Sequence, residues 1–428
     1  MRNIIFKFRQ TISIYLVILA LRLKAYNFCA LIVWLNIQKI KNIKVNYKSK
    51  NLKKVLVFPK SAGNEDLYEA FKDKKNNDVI FFRLPRRFLK SIHLYCFKDT
   101  HIRDYFTKIK GREKVYKKKL YVISLTKIFS CLDKFINFNS FISFNIFYYA
   151  EKYLDEVCIN LNKKFIVLHK ESTFTPLEEK DATSVYRKNN DKSFANKISV
   201  YSKIQKDILV KSKVANKKQI IVNGCPRSDY SFKLRKSKPQ NNFIVYYLIE
   251  KKRAQNLISK KNKFNWDNLY SQTLKYLLEY TKNNPHIKLI LKGKTGVDNN
   301  LLKAKFLSKN CIFIDGGIGQ KLLKKAKVVI AFNTTILFEA IAGNRNLIIP
   351  NFNNENIKKK NLIYKIENSD YFVNSKSEFF KKINFYLNSE YKNTMLTSKE
   401  KKLLNYYLGN KDGKSGKRVA NFLRKTIS

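Results

Sequence analysis

The chain is poor in residues that break or pin a backbone and poor in negative charge. Only 12 Gly and 7 Pro occur in 428 residues, which excludes collagen-like and Gly/Pro-rich linker architectures, and no segment repeats. Its 6 Cys, at positions 29, 96, 131, 158, 225 and 311, form no Cys-x-x-Cys pair. The 4 His, namely His93, His101, His169 and His286, fall in no ligand spacing. Scattered thiols of this kind read as single residues of a reducing compartment, and no transition metal is expected.

Phosphate-binding signatures are missing too. Gly293-Lys294-Thr295 looks like the end of a P-loop, but Lys288 stands where its first glycine belongs; Gly413-Lys414-Ser415 has Leu408 there. Gly317-Ile318-Gly319 lacks the third glycine of a dinucleotide fingerprint, Leu322 taking its place. These departures exclude a Walker A site and argue against a dinucleotide-dependent dehydrogenase.

What is present is positive charge and apolar bulk. Lys+Arg number 87 against 32 Asp+Glu, a net +55, with 44% hydrophobic and 14% aromatic residues. That is too apolar for disorder and long enough for two or three domains. A field of this sign gathers polyanions and anionic lipids. Arginine-rich arms and long basic tracts are absent, however, and runs such as Lys117–Lys119 and Lys358–Lys360 are short. Much of the lysine accompanies Asn, Ile, Phe and Tyr, all encoded by A/T-rich codons. Nucleic acid is therefore not the expected partner; an anionic membrane surface is.

Residues 1–50 read as an apolar and basic helical segment. A basic start, Met1 to Arg9, leads into Thr11–Leu21, the outline of a signal peptide's first two regions, but no small-x-small cleavage site follows. Arg22 and Lys24 interrupt the apolar run and would cost about 2.5–3.5 kcal/mol each near mid-bilayer. A core-packed or monotopic helical hairpin is expected ahead of a signal anchor or a cleaved signal.

From Lys54 onward, short apolar runs alternate with longer helical stretches. Val55–Phe58, Val79–Phe82, Phe165–Leu168, Ile198–Tyr201 and Gln219–Val222 form one series. Phe243–Ile249, Ile287–Leu291, Cys311–Ile314, Val328–Phe332 and Leu347–Ile349 form another. Continuous rather than alternating hydrophobicity indicates strands buried on both faces, as in parallel sheets covered by helices. The fold class predicted is thus α/β, with domains at 51–235 and 243–385, a polar linker at Lys233–Asn242, a cleft between the domains and a helical tail at 386–428. Ligands of open α/β sheets bind beyond the carboxyl ends of the strands.

The most informative segment runs from Lys325 to Pro350. A buried strand ends at Phe332, Asn333 is placed to cap, Thr334 and Thr335 open a helix, Glu339 lies in its second turn and Gly343 closes it. Amides and hydroxyls at such a turn suit a phosphate; an ordinary capped helix is the alternative.

This segment resembles the C-terminal-domain motif of GT-B glycosyltransferase-like proteins of surface carbohydrate and capsule biosynthesis, related to CDP-glycerol glycerophosphotransferase-like proteins. Gly224-Cys225-Pro226-Arg227-Ser228-Asp229 is similar to their G-x-P-R-x-D signature. His169-Lys170-Glu171 resembles the end of one of their strands, and Asp412-Gly413-Lys414 to Arg418-Val419 the start of their last helix. The resemblance covers about residues 140–428. It implies two Rossmann-like domains, a nucleotide-activated sugar donor on the second, a glycan or lipid-linked acceptor on the first, and transfer without an obligatory metal or cofactor. The absence of any Asp-x-Asp agrees with that. The apolar N-terminal helix and the basic surface fit a cytoplasmic protein peripheral to the inner face of the cell membrane.

Carried over by position, Asn333, Thr334 and Thr335 would hold the donor phosphates and Glu339 the sugar or ribose hydroxyls. Arg227 would offset diphosphate charge, or else tie to Asp229. Glu171 is the candidate general base, or a salt-bridge partner, and His169 its companion or a packed strand residue. A family histidine is replaced by Lys294, which with Lys292 would supply positive charge. The Asp315-Gly316-Gly317 turn lets backbone approach a base or ribose. Two other readings are a sugar-nucleotide epimerase of the same fold and a non-catalytic basic binder of membranes or polyanions.

Overall fold

A computed structural model describes residues 2–72, 77–98, 111–170, 173–189, 192–193, 195–239, 243–249, 266–293, 310–316, 319–352, 363–392 and 394–427. The chain divides into two compact units. Unit 1 comprises Met1–Ser172, Asn189–Arg227 and Ser415–Ser428; unit 2 comprises Thr173–Lys188 and Ser228–Lys414.

Unit 1 is built on a seven-stranded sheet: β1 (Gln38–Lys39), β2 (Lys53–Val57), β3 (Val79–Arg83), β4 (Ser140–Ser143), β5 (Lys164–Leu168), β6 (Lys197–Val200) and β7 (Ile220–Val222). Their order is β1-β3-β2-β4-β5-β6-β7, parallel throughout except for β1. Helices α1 (Arg2–Arg22), α2 (Tyr26–Asn36), α3 (Ser61–Phe71), α4 (Arg86–Phe97), α5 (Gly111–Ile136), α6 (Leu154–Asn160), α7 (Pro176–Asn189) and α8 (Lys203–Lys211) follow in chain order; α7 belongs almost wholly to unit 2. The core sets Val55, Val57, Phe81, Ile142 and Ile166 of the strands against Leu67 and Phe71 of α3.

Unit 2 carries a six-stranded, wholly parallel sheet of β8 (Phe243–Tyr247), β9 (Lys288–Lys292), β10 (Cys311–Ile314), β11 (Val328–Ile330), β12 (Asn346–Pro350) and β13 (Phe372–Val373). The order β10-β9-β8-β11-β12-β13 is the doubly wound 3-2-1-4-5-6 arrangement. The remaining helices are α9 (Asp229–Leu234), α10 (Asp267–Asn283), α11 (Gln320–Leu323), α12 (Ile336–Ala342), α13 (Lys376–Asn388), α14 (Ser398–Leu408) and α15 (Ser415–Ile427).

Three expectations about organisation change. The N-terminal helices are not a separate segment: α1 and α2 pack on each other and on α4 and α5 within unit 1. Asn36 Nδ2 donates to Ser13 Oγ across 3.0 Å and Arg9 to the Leu35 carbonyl across 2.7 Å. No described helix is long and apolar enough to cross a membrane. Secondly, the start of the expected linker Lys233–Asn242 is anchored in unit 2. Arg235 is buried in unit 2, where it donates to the carbonyls of Ile341 at 2.8 Å and Thr394 at 2.7 Å. Thirdly, the tail is shared out: α14 belongs to unit 2 and α15 to unit 1, where Val419, Phe422, Leu423 and Ile427 join the core beside α3.

Helix α1 is apolar on its outward side as well. Gln10, Ser13, Val17, Ala20 and Leu21 face inward, while Ile12, Tyr15, Leu16, Leu19 and, just beyond, Leu23 are exposed, Tyr15 to 70% and Leu23 to 71%.

Candidate functional site

In a doubly wound sheet the crevice opens where the strand order reverses, because the flanking connections leave in opposite directions. In unit 2 that point lies between β8 and β11. Their carboxyl ends place Tyr247 on one side and the Ala331–Thr335 turn on the other. Tyr247 donates its hydroxyl to the Gly319 carbonyl at 2.7 Å, and a Cβ at 319 would sit 3.2 Å from Tyr247 Cε1. Gly319 thus serves the close approach of a ring. Glu339, buried on α12, is near enough that its charge adds to burial in holding the Tyr247 hydroxyl well above its ordinary pKa.

The turn itself differs in detail from the sequence expectation. Asn333 has φ 49°, a left-handed conformation that asparagine tolerates, and Thr335 rather than Asn333 occupies the cap position of α12. Asn333 Oδ1 accepts from the Tyr364 amide at 3.3 Å. Tyr364 packs beneath α12 with Phe338 and Tyr407, ring centroids 5.0 and 5.1 Å away. Thr334 and Thr335 are half-buried and precede the helix instead of opening it.

Lys292 ends β9, level with Tyr247 and Ile314. Its ammonium donates to the carbonyl of Gly293 at 2.7 Å and to that of Gly316. Burial depresses its pKa, opposed by the charge of Asp315. Two of its three N–H donors therefore clamp the loops after β9 and β10 together. Gly316, at φ 67°, makes the turn that presents its carbonyl. Lys294 and Gly317 lie outside the described residues.

The corresponding reversal in unit 1 lies between β2 and β4. Here Glu151, 1% exposed, accepts from Arg86 Nε and Ser143 Oγ, and the Arg86 guanidinium lies 4.1 Å from the Tyr148 ring centroid. Farther along the same rim, Asp66 of α3 accepts from the Arg227 amide at 3.1 Å and its guanidinium at 3.2 Å, and from the Tyr201 hydroxyl; Arg227 also donates to Tyr201 Oη at 2.6 Å. Arg227 is thus tied to Asp66, and Asp229 accepts from Asn410 Nδ2 at 2.7 Å in unit 2. His169 is buried at the end of β5, its amide bonded to the Ser199 carbonyl at 2.8 Å and its ring 5.9 Å from that of Phe147. Glu171 lies outside the described residues.

The structure thus gathers Asn333, Thr334, Thr335 and Glu339 at one reversal point, adds Lys292 and Gly316 along the same edge, and places Arg227 and His169 on the rim of the other unit. Sequence reasoning missed Tyr247, Asp66, Arg86 and Glu151. Gly319 was visible only as part of a failed fingerprint. Among the described residues no group of three or more His, Cys, Asp or Glu side chains could hold a metal ion.

No family model matches the sequence, and no curated protein does. Solved structures similar to the chain include the wall teichoic acid polymerase TagF, 13% identical, covering 99% of this chain and 98% of that one with TM-score 0.48. The UDP-GlcNAc 2-epimerase of Methanocaldococcus jannaschii is 12% identical, covering 87% and 99%, TM-score 0.45. An α,α-trehalose-phosphate synthase (UDP-forming) of Burkholderia vietnamiensis is 9% identical, covering 87% and 99%, TM-score 0.42. The class stands on the two sheets themselves: this is an α/β protein of two units on parallel sheets, with a doubly wound crevice in the second.

Proposed function

We propose that the chain is a glycosyltransferase-like enzyme of surface polysaccharide biosynthesis, moving a sugar or polyol phosphate from a nucleotide-activated donor to a glycan or lipid-linked acceptor. The observation that carries this reading is the unit 2 crevice: a strand-order reversal flanked by hydroxyls of Thr334 and Thr335, a buried carboxylate at Glu339 and a glycine at Gly319. Hydroxyls and turn amides suit the donor phosphates, and a buried carboxylate suits sugar or ribose hydroxyls, which it orients by accepting their protons in hydrogen bonds. Lys292 fixes the neighbouring loops. In such a site catalysis comes from positioning and from dispersing charge on the leaving phosphate. Glu171 as base, and Lys294 as a cation, belong to the same proposal.

A thermal-shift series against UDP, CMP, CDP, GDP and their sugars tests it. One nucleotide should raise Tm, and Thr334→Ala with Thr335→Ala should remove the shift. A folded protein indifferent to every nucleotide overturns the reading.

Attachment to an anionic membrane surface is part of the proposal, supported by the exposed apolar side of α1 and by the net +55. Co-sedimentation with anionic vesicles, lost on Leu16→Gln with Leu19→Gln, is the expected result.

A further inference from the structure

At the turn between α1 and α2, where the apolar side of α1 ends, a shallow cavity of about 640 Å³ opens between that turn, α5 and the end of α6. Its composition is one-sided. Lys24 and Lys127 line it together with Thr126, Ser130 and Asn27, and no acidic side chain does. Among the described residues neither lysine forms an ion pair; Lys127 Nζ lies 4.8 Å from the Tyr26 ring centroid. Lys24 is held at φ 54° by the turn.

Two hydrogen bonds inside the cavity occupy the acceptor atoms of Asn27 and Thr126 and not their donors. Asn27 Oδ1 accepts from Cys131 Sγ at 2.7 Å, so its Nδ2 stays available. Thr126 Oγ1 accepts from Asn160 Nδ2 at 3.3 Å, leaving its own proton to donate. A cavity lined by two ammonium groups together with amide and hydroxyl donors suits an oxyanion. The exposed neighbours are apolar: Phe28 in the lining is 47% exposed, Leu23 beside Lys24 71%, and the stripe of Leu19, Leu16, Tyr15 and Ile12 leads away from it. Apolar surface running into a cationic cavity matches one kind of ligand, a phosphate with hydrocarbon attached.

We infer that this cavity binds the phosphate of an amphiphile, its charge between Lys24 and Lys127 and its hydrocarbon along Leu23, Phe28 and the outward side of α1. The inference rests on the membrane reading above and adds to it a defined headgroup site. A bilayer phospholipid and a lipid-linked phosphate share this chemistry.

Titration of the full chain with dihexanoyl phosphatidylglycerol below its micellar concentration, with and without inorganic phosphate as competitor, tests the site. Flotation with phosphatidylcholine vesicles and with mixed phosphatidylcholine–phosphatidylglycerol vesicles tests attachment. Saturable binding of the short lipid, competed by phosphate and weakened at least tenfold in Lys24→Gln with Lys127→Gln, is expected. Leu16→Gln with Leu19→Gln should lose flotation and keep phosphate binding. If both lysine changes leave short-lipid binding intact while vesicles still bind, the headgroup site is wrong and the membrane reading survives. If neither vesicles nor short lipid bind, both fall. Phosphate binding without any gain from the hydrocarbon overturns the amphiphile. Thr126→Val with Ser130→Ala serves as a second variant should the lysine pair fail to fold, with the same tenfold loss expected.

The shared chemistry has two sources, and a farnesyl monophosphate titration separates them. Tighter binding than the phosphatidylglycerol assigns the cavity to a lipid-linked phosphate; equal or weaker binding assigns it to the bilayer.

Discussion

Gly63 and Phe144 occupy the same space: a Cβ built on Gly63 would fall 2.1 Å from Phe144 Cγ. The ring is wholly buried where β4 ends, so α3 can lie against the sheet at this point only without a side chain there. Gly63→Ala gains about 1 kcal/mol of helix propensity but forces the ring aside at a cost of about 1–3 kcal/mol. A net loss of stability is expected in urea unfolding, against the usual direction for a glycine in a helix.

Asp66 and Arg227 form a buried pair, with side-chain exposures of 4% and 12%. Removing one partner strands the other, so Asp66→Ala should lose about 3–5 kcal/mol. Asp66→Leu with Arg227→Met should recover much of it, since no charge then stays buried. Chemical denaturation of the two variants measures this, and equal losses in the single and the double variant would contradict the pairing.

Tyr247→Phe removes the hydrogen bond to Gly319 and should cost about 0.5–1.5 kcal/mol. Because that bond holds the loop beside the crevice, nucleotide binding should weaken as well. Gly319→Ala crowds the same ring, and the two changes together should cost less than their sum.

Burial pushes the thiols of Cys29 and Cys311 up to about 11 and that of Cys96 up to about 12. At pH 8 about one Cys29 thiol in a thousand is then ionised, and the thiolate is the species that alkylates. Iodoacetamide should label the native protein at Cys131, the one half-buried thiol, and reach the others only on unfolding. The folded state holds these thiol protons more tightly than the unfolded chain. Their contribution to stability is therefore complete below the ordinary value of 9.0 and is lost as pH rises through about 11. Unfolding midpoints across pH 8–11 should fall accordingly.

Strands flanked by helices are the legible part of this sequence, because a strand buried on both faces must be apolar along its length. Phe243–Tyr247 and Val328–Ile330 stand out for that reason. Central strand β4 does not: Ser140-Phe-Ile-Ser carries two apolar residues between serines, and its burial comes from neighbours on both sides. Asn333 reads as a cap from its neighbours alone, whereas in the structure it bends left-handed and accepts from the amide of Tyr364, thirty-one residues away. The partners of Arg227 were beyond reach for the same reason. Asp66 lies 161 residues earlier, and only the parallel sheet brings α3 beside the end of β7.

The chain leaves and re-enters its units at 172–173, 188–189, 227–228 and 414–415. A ribosome delivers residues in order, so unit 1 receives its strands early but waits through the whole of unit 2 for α15. Until that helix emerges, the cavity it fills beside Leu67 and Phe71 of α3 has no lid. The first unit to be synthesised is the last to close, and a nascent chain halted anywhere before Ser415 exposes an apolar face for as long as the halt lasts.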